Sequence, residues 1–233
     1  MATIRLFLCG DVMTGRGIDQ VLPHPVAPGL HEPYAQSALD YVDLAERASG
    51  AIHRPVDYLY VWGDALAELD RRRPDARIVN LETAVTTSER AWPGKGVHYR
   101  MHPANVPCLQ AARLDCCVLA NNHVLDWGRE GLDETLQVLH DAGLRIAGAG
   151  PTLERAAAPA VIALSGEARV LVYAYAMADS GVPRSWAATP ERSGVALLPD
   201  LSPRRLHDIA RRIAPVKQPG DVVVLSIHWG SNW

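Results

Sequence analysis

The chain has 233 residues, 48% of them hydrophobic and 21% charged, with a net charge of −3. That is enough apolar material for one buried core, so residues 1–233 read as a single domain. A slightly acidic chain without a basic stripe excludes nucleic acid as the expected partner, and no run approaches the roughly 20 apolar residues that span a bilayer.

Residues 4–9 read as the first strand. The segment before it has neither the basic stretch nor the small-residue cleavage site of a signal peptide, so a cytoplasmic protein is expected. Residues 22–54 hold Pro, His and Gly with weak periodicity, and read as an irregular insertion with one helix at 34–47. A helix at 58–69 and a strand at 77–79 follow. Residues 86–103 form a second long loop, of a length that compact domains keep for function. The strand at 116–120 carries Cys116 and Cys117, which pleating turns to opposite faces. With Cys9, Cys108 and no C-x-x-C, the four cysteines read as buried free thiols in a reducing compartment.

Leu132, Leu136 and Leu139 trace the next helix, with Asp133 and Glu134 in its first turn and Gly143 suited to its C-terminal cap. Residues 160–164 and 169–175, joined by Ser165-Gly166-Glu167-Ala168, read as a hairpin. A helix at 206–213 and a strand at 222–227 close the chain. Strands alternating with helices predict an α/β fold with parallel pairs, and the hairpin makes its sheets mixed.

Ligands of open α/β sheets bind beyond the carboxyl ends of the strands. Four strands here end in polar sequences: Gly10-Asp11 followed by Arg16, Asn80-Leu81-Glu82, Asn121-Asn122-His123 with Asp126 and Gly128, and His228-Trp229-Gly230. Singly each has a bland explanation: Asp11 as a turn residue, Glu82 as a solvated carboxylate, His228 as a satisfied core histidine. Asn122-His123 is more distinctive, because consecutive polar side chains at a buried strand end are costly without partners. Converging on one edge, these groups make a mixed oxygen and nitrogen donor set. Such a set suits Mn²⁺, Fe²⁺ or Zn²⁺ better than Ca²⁺. Two such ions could activate a water and clamp an anionic transition state, and Arg16 could hold an anionic group.

These motifs, in this order, resemble the CapA-type poly-γ-glutamate capsule synthesis family over essentially the whole chain, most specifically in Asn121-Asn122-His123 with Asp126 and Gly128. That family is similar to the calcineurin-like metallophosphoesterases, so the resemblance implies an αββα sandwich, mixed sheets flanked by helices, with a two-metal site. Carried over position by position, Asp11 resembles the first metal ligand, and Glu82 stands where the phosphoesterases place a bridging Asp. Asn122 resembles the Asn ligand of the Gly-Asn-His motif, His123 the residue that stabilises the substrate oxyanion, and His228 a ligand of the second metal. Asp126 would orient His123 or its loop. Lys95, Tyr99, Arg100 and His102 are candidates to meet an anionic substrate, a solvated loop being the equal alternative.

The sequence departs from the pattern twice. The phosphoesterase Asp-x-His opening is Asp11-Val12-Met13 here, without its His. The family also continues past His-Trp-Gly to a later Gly-His motif, whereas this chain stops at Ser231-Asn232-Trp233, so the domain is expected to be incomplete at its C-terminus. Two functions are weighed: a metal-dependent hydrolase acting on a phosphoester or an acidic amide polymer, and a non-catalytic accessory protein binding an anionic polymer or a synthase. A nucleotide-binding domain is the weakest alternative, since Gly148-Ala149-Gly150 lacks the full dinucleotide fingerprint.

Overall fold

The computed structural model describes residues 3–231. Its first half runs β1 (Leu6–Val12), α1 (Arg16–Val21), α2 (Leu39–Ser49), α3 (Ala65–Arg72), β2 (Ala76–Leu81), β3 (Ala84–Val85), β4 (Arg100–Met101), α4 (Pro107–Ala111) and β5 (Cys116–Val118). Then come α5 (Gly128–Asp141), β6 (Arg145–Ala147), β7 (Ala149–Gly150), α6 (Leu153–Ala157), β8 (Ala160–Ala163), β9 (Arg169–Ala176), β10 (Gly194–Val195), α7 (Pro203–Ile213) and β11 (Val222–His228).

Strands β1, β2, β5 and β6 form a parallel sheet in the order β1-β2-β5-β6. A second sheet has the order β11-β9-β8, with β11 parallel and β8 antiparallel to β9. The chain is thus a mixed α/β protein with a parallel sheet flanked by helices, and the expected 160–175 hairpin is the β8–β9 pair.

Alternation along β9 shows how the sheets are layered. Val170, Val172, Ala174 and Ala176 enter a core shared with Ile78, Val79, Cys117 and Ala147 of the parallel sheet. Leu171, Tyr173 and Tyr175 point the other way, onto Ile209 of α7 and Ala156 of α6. A strand covered on both faces needs a near-continuous apolar sequence, and Arg-Val-Leu-Val-Tyr-Ala-Tyr-Ala supplies one. Gly148 is packed between Ala120, just past β5, and Ala174 of β9. Its φ is +89°, and a Cβ there would stand 2.6 Å from that of Ala120 and 2.8 Å from that of Ala174. Gly150 is equally crowded, by the backbone of Arg155 and Ala156. The glycine cluster therefore serves backbone packing and leaves no cradle for a nucleotide phosphate.

Helix α5 buries Leu132, Thr135 and Leu139 along one stripe. It starts at Gly128, one turn before the position expected from its leucines, and Glu130 takes the first-turn acidic place. Its end follows the expectation. Gly143 (φ +76°) donates to the His140 carbonyl at 2.9 Å and Leu144 to that of Leu139 at 3.0 Å, the paired bonds of a Schellman stop. The helix expected at 58–69 is split: a 3₁₀ turn at Tyr60–Trp62 ends at Gly63, whose φ of +50° interrupts helical geometry before α3 begins. Cys108, Cys116 and Cys117 are buried free thiols, and burial pushes Cys108 and Cys117 up to about 12. Cys9 corrects the expectation of four buried thiols. It is exposed, because β1 is an edge strand with an open face. No helix among the described residues is long and apolar enough to cross a membrane.

Candidate metal and catalytic site at the strand ends

Three of the four polar motifs leave parallel-sheet strands, and the fourth ends β11 of the second sheet. The carboxyl ends of β1, β2 and β11 and the loop after β5 meet in one place. A β-bulge between Cys9 and Asp11 shifts the β1–β2 register and sets Asp11 opposite Asn80. Asn80 Nδ2 then donates to Asp11 Oδ1 at 2.6 Å and lies 3.5 Å from His228 Nδ1. His228 Nε2 is 3.0 Å from Asn122 Oδ1, and Asp11 Oδ1 is 3.9 Å from His228 Nδ1. Glu82 follows Asn80 by two residues, which pleating places on the same face, and its Oε1 is 3.7 Å from His123 Nε2. The structure thus brings together Asp11, Glu82, Asn122, His123 and His228, as the sequence reading expects. Asn80, given no role in that reading, is the hub. Its signal was its place in the strand-end motif Asn80-Leu81-Glu82.

The loop after β5 builds the other wall. His123 Nδ1 lies 2.6 Å from Asp126 Oδ2, and Lys95 Nζ lies 2.5 Å from Asp126 Oδ1 and 3.0 Å from His123 Nδ1. With Nδ1 so engaged, Nε2 is the ring nitrogen left facing Glu82 and the cleft. Asp126 is fully buried and also accepts the backbone N–H of Tyr99 at 2.6 Å. This anchors the 86–103 loop, whose start is held by Glu134 of α5 through bonds from Thr86 and Thr87. Tyr99 stacks on His123 with ring centroids 3.8 Å apart.

Arg16 enters through Tyr99 rather than directly. Its guanidinium stands 4.5 Å from the Tyr99 ring centroid and 4.9 Å from that of Tyr41, while its charge is taken by the buried carboxylate of Glu32, 2.5 Å away. Glu32 and Tyr41 lie in the insertion and carried no motif that would have marked them. Its φ of +48° is the left-handed region, strained for a side chain of this size.

Arg100 and His102 are placed apart from the cluster. The Arg100 guanidinium lies 4.0 Å from the Trp127 ring centroid and donates to the Ser88 carbonyl at 2.6 Å. His102 caps the short 3₁₀ turn Pro103–Asn105, Nδ1 accepting from Ala104, and its backbone N–H donates to Asp19. The other two residues expected to meet substrate belong to the cluster, Lys95 as the partner of Asp126 and Tyr99 stacked on His123.

The electrostatics of the site are unbalanced. Burial, together with a hydrogen bond and the charge of Asp11, pushes Glu82 up to about 8. Burial also lowers Lys95, with Asp126 opposing it, and lowers His123 and His228. Among the described residues neither Asp11 nor Glu82 forms an ion pair with a lysine or arginine. Nor do three or more His, Cys, Asp or Glu side chains there close around one point as a metal would require. The donors that stand near one another at the strand ends are two carboxylates, the Asn122 carbonyl and the His228 ring. This hard-to-borderline set is of the chemical type that divalent cations accept.

Residues 5–233 match the model of the bacterial capsule synthesis protein family PGA_cap. A probable polyglutamine synthesis accessory protein of Mycobacterium tuberculosis is 47% identical over 231 residues, 99% of this chain and 61% of that protein. The PGA biosynthesis protein CapA of Bacillus subtilis is 26% identical over 96% of this chain and 48% of its own length. The capsule biosynthesis protein CapA of Bacillus anthracis is 26% identical over 60% of this chain and 32% of its own. The chain therefore spans about three fifths or less of these relatives. Its match over residues 5–233 places the chain in the bacterial capsule synthesis protein family PGA_cap.

Proposed function

We propose that this chain is a CapA-like component of poly-γ-glutamate capsule synthesis or processing, and that its strand-end cluster is a divalent-metal-dependent hydrolytic centre. In this reading the two sheets and their outer helices form the αββα sandwich of the metallophosphoesterases. The substrate is a phosphoester or an amide of an acidic polymer. The reading rests on one observation: Asp11 and Glu82 are held together beside His123 and His228 without a paired lysine or arginine.

Asp11, Glu82, Asn122 and His228 would hold the metal, one ion or two of Mn, Fe or Zn. Bound there, it supplies Lewis acidity and an activated water. The chain's own residues do the rest. Asp126 fixes the His123 ring through Nδ1, so that Nε2 faces the cleft, where it can donate to an oxyanion or a leaving group. Tyr99 stacks that ring in place, and Arg16, itself held by Glu32, steadies Tyr99. Lys95 neutralises Asp126, so the wall that an anionic substrate would pass presents no unpaired carboxylate there.

Metal content of the purified protein, with hydrolysis of a model phosphoester and of a γ-glutamyl peptide, tests the reading. Asp11→Ala and His228→Ala are expected to lose metal and at least a hundredfold in turnover; wild-type activity in both would sink it. A second reading is an accessory protein that binds the polymer or a synthase without turnover. It is favoured by the lack, among the described residues, of three metal-binding side chains around one point. Saturable binding of poly-γ-glutamate, with no hydrolysis under any divalent metal, would select it.

A further inference from the structure

The second sheet carries another polar pocket, on the face turned away from the shared core. β9 sends Tyr173 and Tyr175 outward beneath α7, while its alternate residues Ala174 and Ala176 face the core. Tyr175 is only 6% exposed, yet its hydroxyl has no hydrogen-bond partner among the described residues. Nε of Arg205, on α7, is a second buried polar atom there without a bond, the Asp200 carboxylate standing 3.8 Å away. Both side chains line one cavity of about 450 Å³, walled also by Leu153, Leu198 and Ile209. That volume is in the range of small-molecule sites.

Asp208, also in the wall, is held by Arg205 at 3.1 Å and Arg211 at 2.5 Å. Arg212 lines the same cavity and acts electrostatically on Tyr175, but among the described residues it forms no ion pair. The pocket therefore holds two unmet donors and one guanidinium with no carboxylate of its own. Buried donors of this kind are normally matched, and a charged acceptor matches them best.

We propose that this pocket, separate from the strand-end cluster, binds a small oxyanion, a carboxylate or phosphate group carried on a short apolar body. Arg212 and Arg205 meet the anion, the Tyr175 hydroxyl donates to one of its oxygens, and Leu153, Leu198 and Ile209 take the hydrocarbon. Nothing in this assignment depends on the metal reading.

Calorimetric titration of the purified protein with glutarate and with n-butyl phosphate tests it. At least one probe is expected to bind saturably, and which one binds identifies the anion. Arg212→Met should weaken binding at least tenfold and Tyr175→Phe roughly three- to tenfold, with Asp11→Ala unchanged. Tyr175→Phe should leave the ligand-free melting temperature unchanged or raised, since it removes an unmet polar group. Arg212 is exposed, so its variant tests the idea even if the tyrosine variant folds poorly. No saturable binding by either probe overturns the proposal. So does unchanged binding in Arg212→Met, or an equal loss in Asp11→Ala, which would place the ligand at the strand ends.

Discussion

Asp19 and Glu82 are both carboxylates withdrawn from water beside asparagine and histidine, yet they sit in opposite kinds of surroundings. Asp19 is fully buried and accepts three hydrogen bonds: from the N–H of Val26 at 2.7 Å, the N–H of His102 at 2.9 Å and Asn105 Nδ2 at 2.8 Å. These bonds stitch the insertion to the turn after β4, and they oppose the rise in pKa that burial imposes on Asp19. Glu82 instead faces a second carboxylate and a neutral-leaning histidine, and its protonation is displaced to about 8. A carboxylate whose donors are all supplied by the chain holds the fold together. One left with a carboxylate neighbour and no paired cation contributes little to holding the fold and marks a candidate functional site.

The largest expected effect separates the two clusters by stability. Asp19→Ala strips the acceptor from three buried donors and should cost about 3 kcal/mol in urea unfolding. A loss below about 1 kcal/mol would show that the Asp19 cluster is not architectural.

Next comes pH. Glu82 binds its proton more tightly folded (about 8) than unfolded (near 4.5), so between those values the native state holds more protons. The sign follows: the metal-free protein loses stability as pH rises from about 5 to 9, by roughly 1–2 kcal/mol after allowance for solvent at the cleft mouth. Glu82→Gln should flatten that slope, and a divalent cation should offset it by binding only the native state. An equal slope in wild type and variant would remove Glu82 from the comparison.

A smaller effect concerns the His123 wall. Tyr99→Leu removes the stacked ring and should lower turnover roughly tenfold while metal content stays constant. If metal is lost as well, Tyr99 shapes the donors and not the histidine. The smallest is Asp11→Ala, whose side chain is 57% exposed; it should change stability by less than about 0.5 kcal/mol although it empties the site of metal.

Much of this was legible from residue order alone. The strands at β2, β5, β9 and β11, the β8–β9 hairpin and the Gly143 helix stop follow from apolar runs and turn chemistry, which act over a few residues. The polar strand ends were legible too: Asn122-His123 is a costly sequence unless it meets partners, and Asn80-Leu81-Glu82 gained weight from standing beside the other motifs. Helix boundaries were less so. Gly63 breaks the 58–69 segment through a positive φ that no periodicity announces, and α5 gains a turn before its first leucine.

The sequence by itself determined the alternation of strands and helices and which polar residues lie at strand ends, since both rest on local spacing. Only the tertiary structure decided their accounts. It paired Arg16 with Glu32, gave Lys95 to Asp126, put Arg100 on Trp127 and His102 beside Asp19, and left Asp11 and Glu82 facing each other. Those partners lie 16 to 83 residues apart in the chain wherever a bond joins them. Whether a buried charge is satisfied depends on what the fold carries to within about 3 Å of it, which spacing along the chain does not specify.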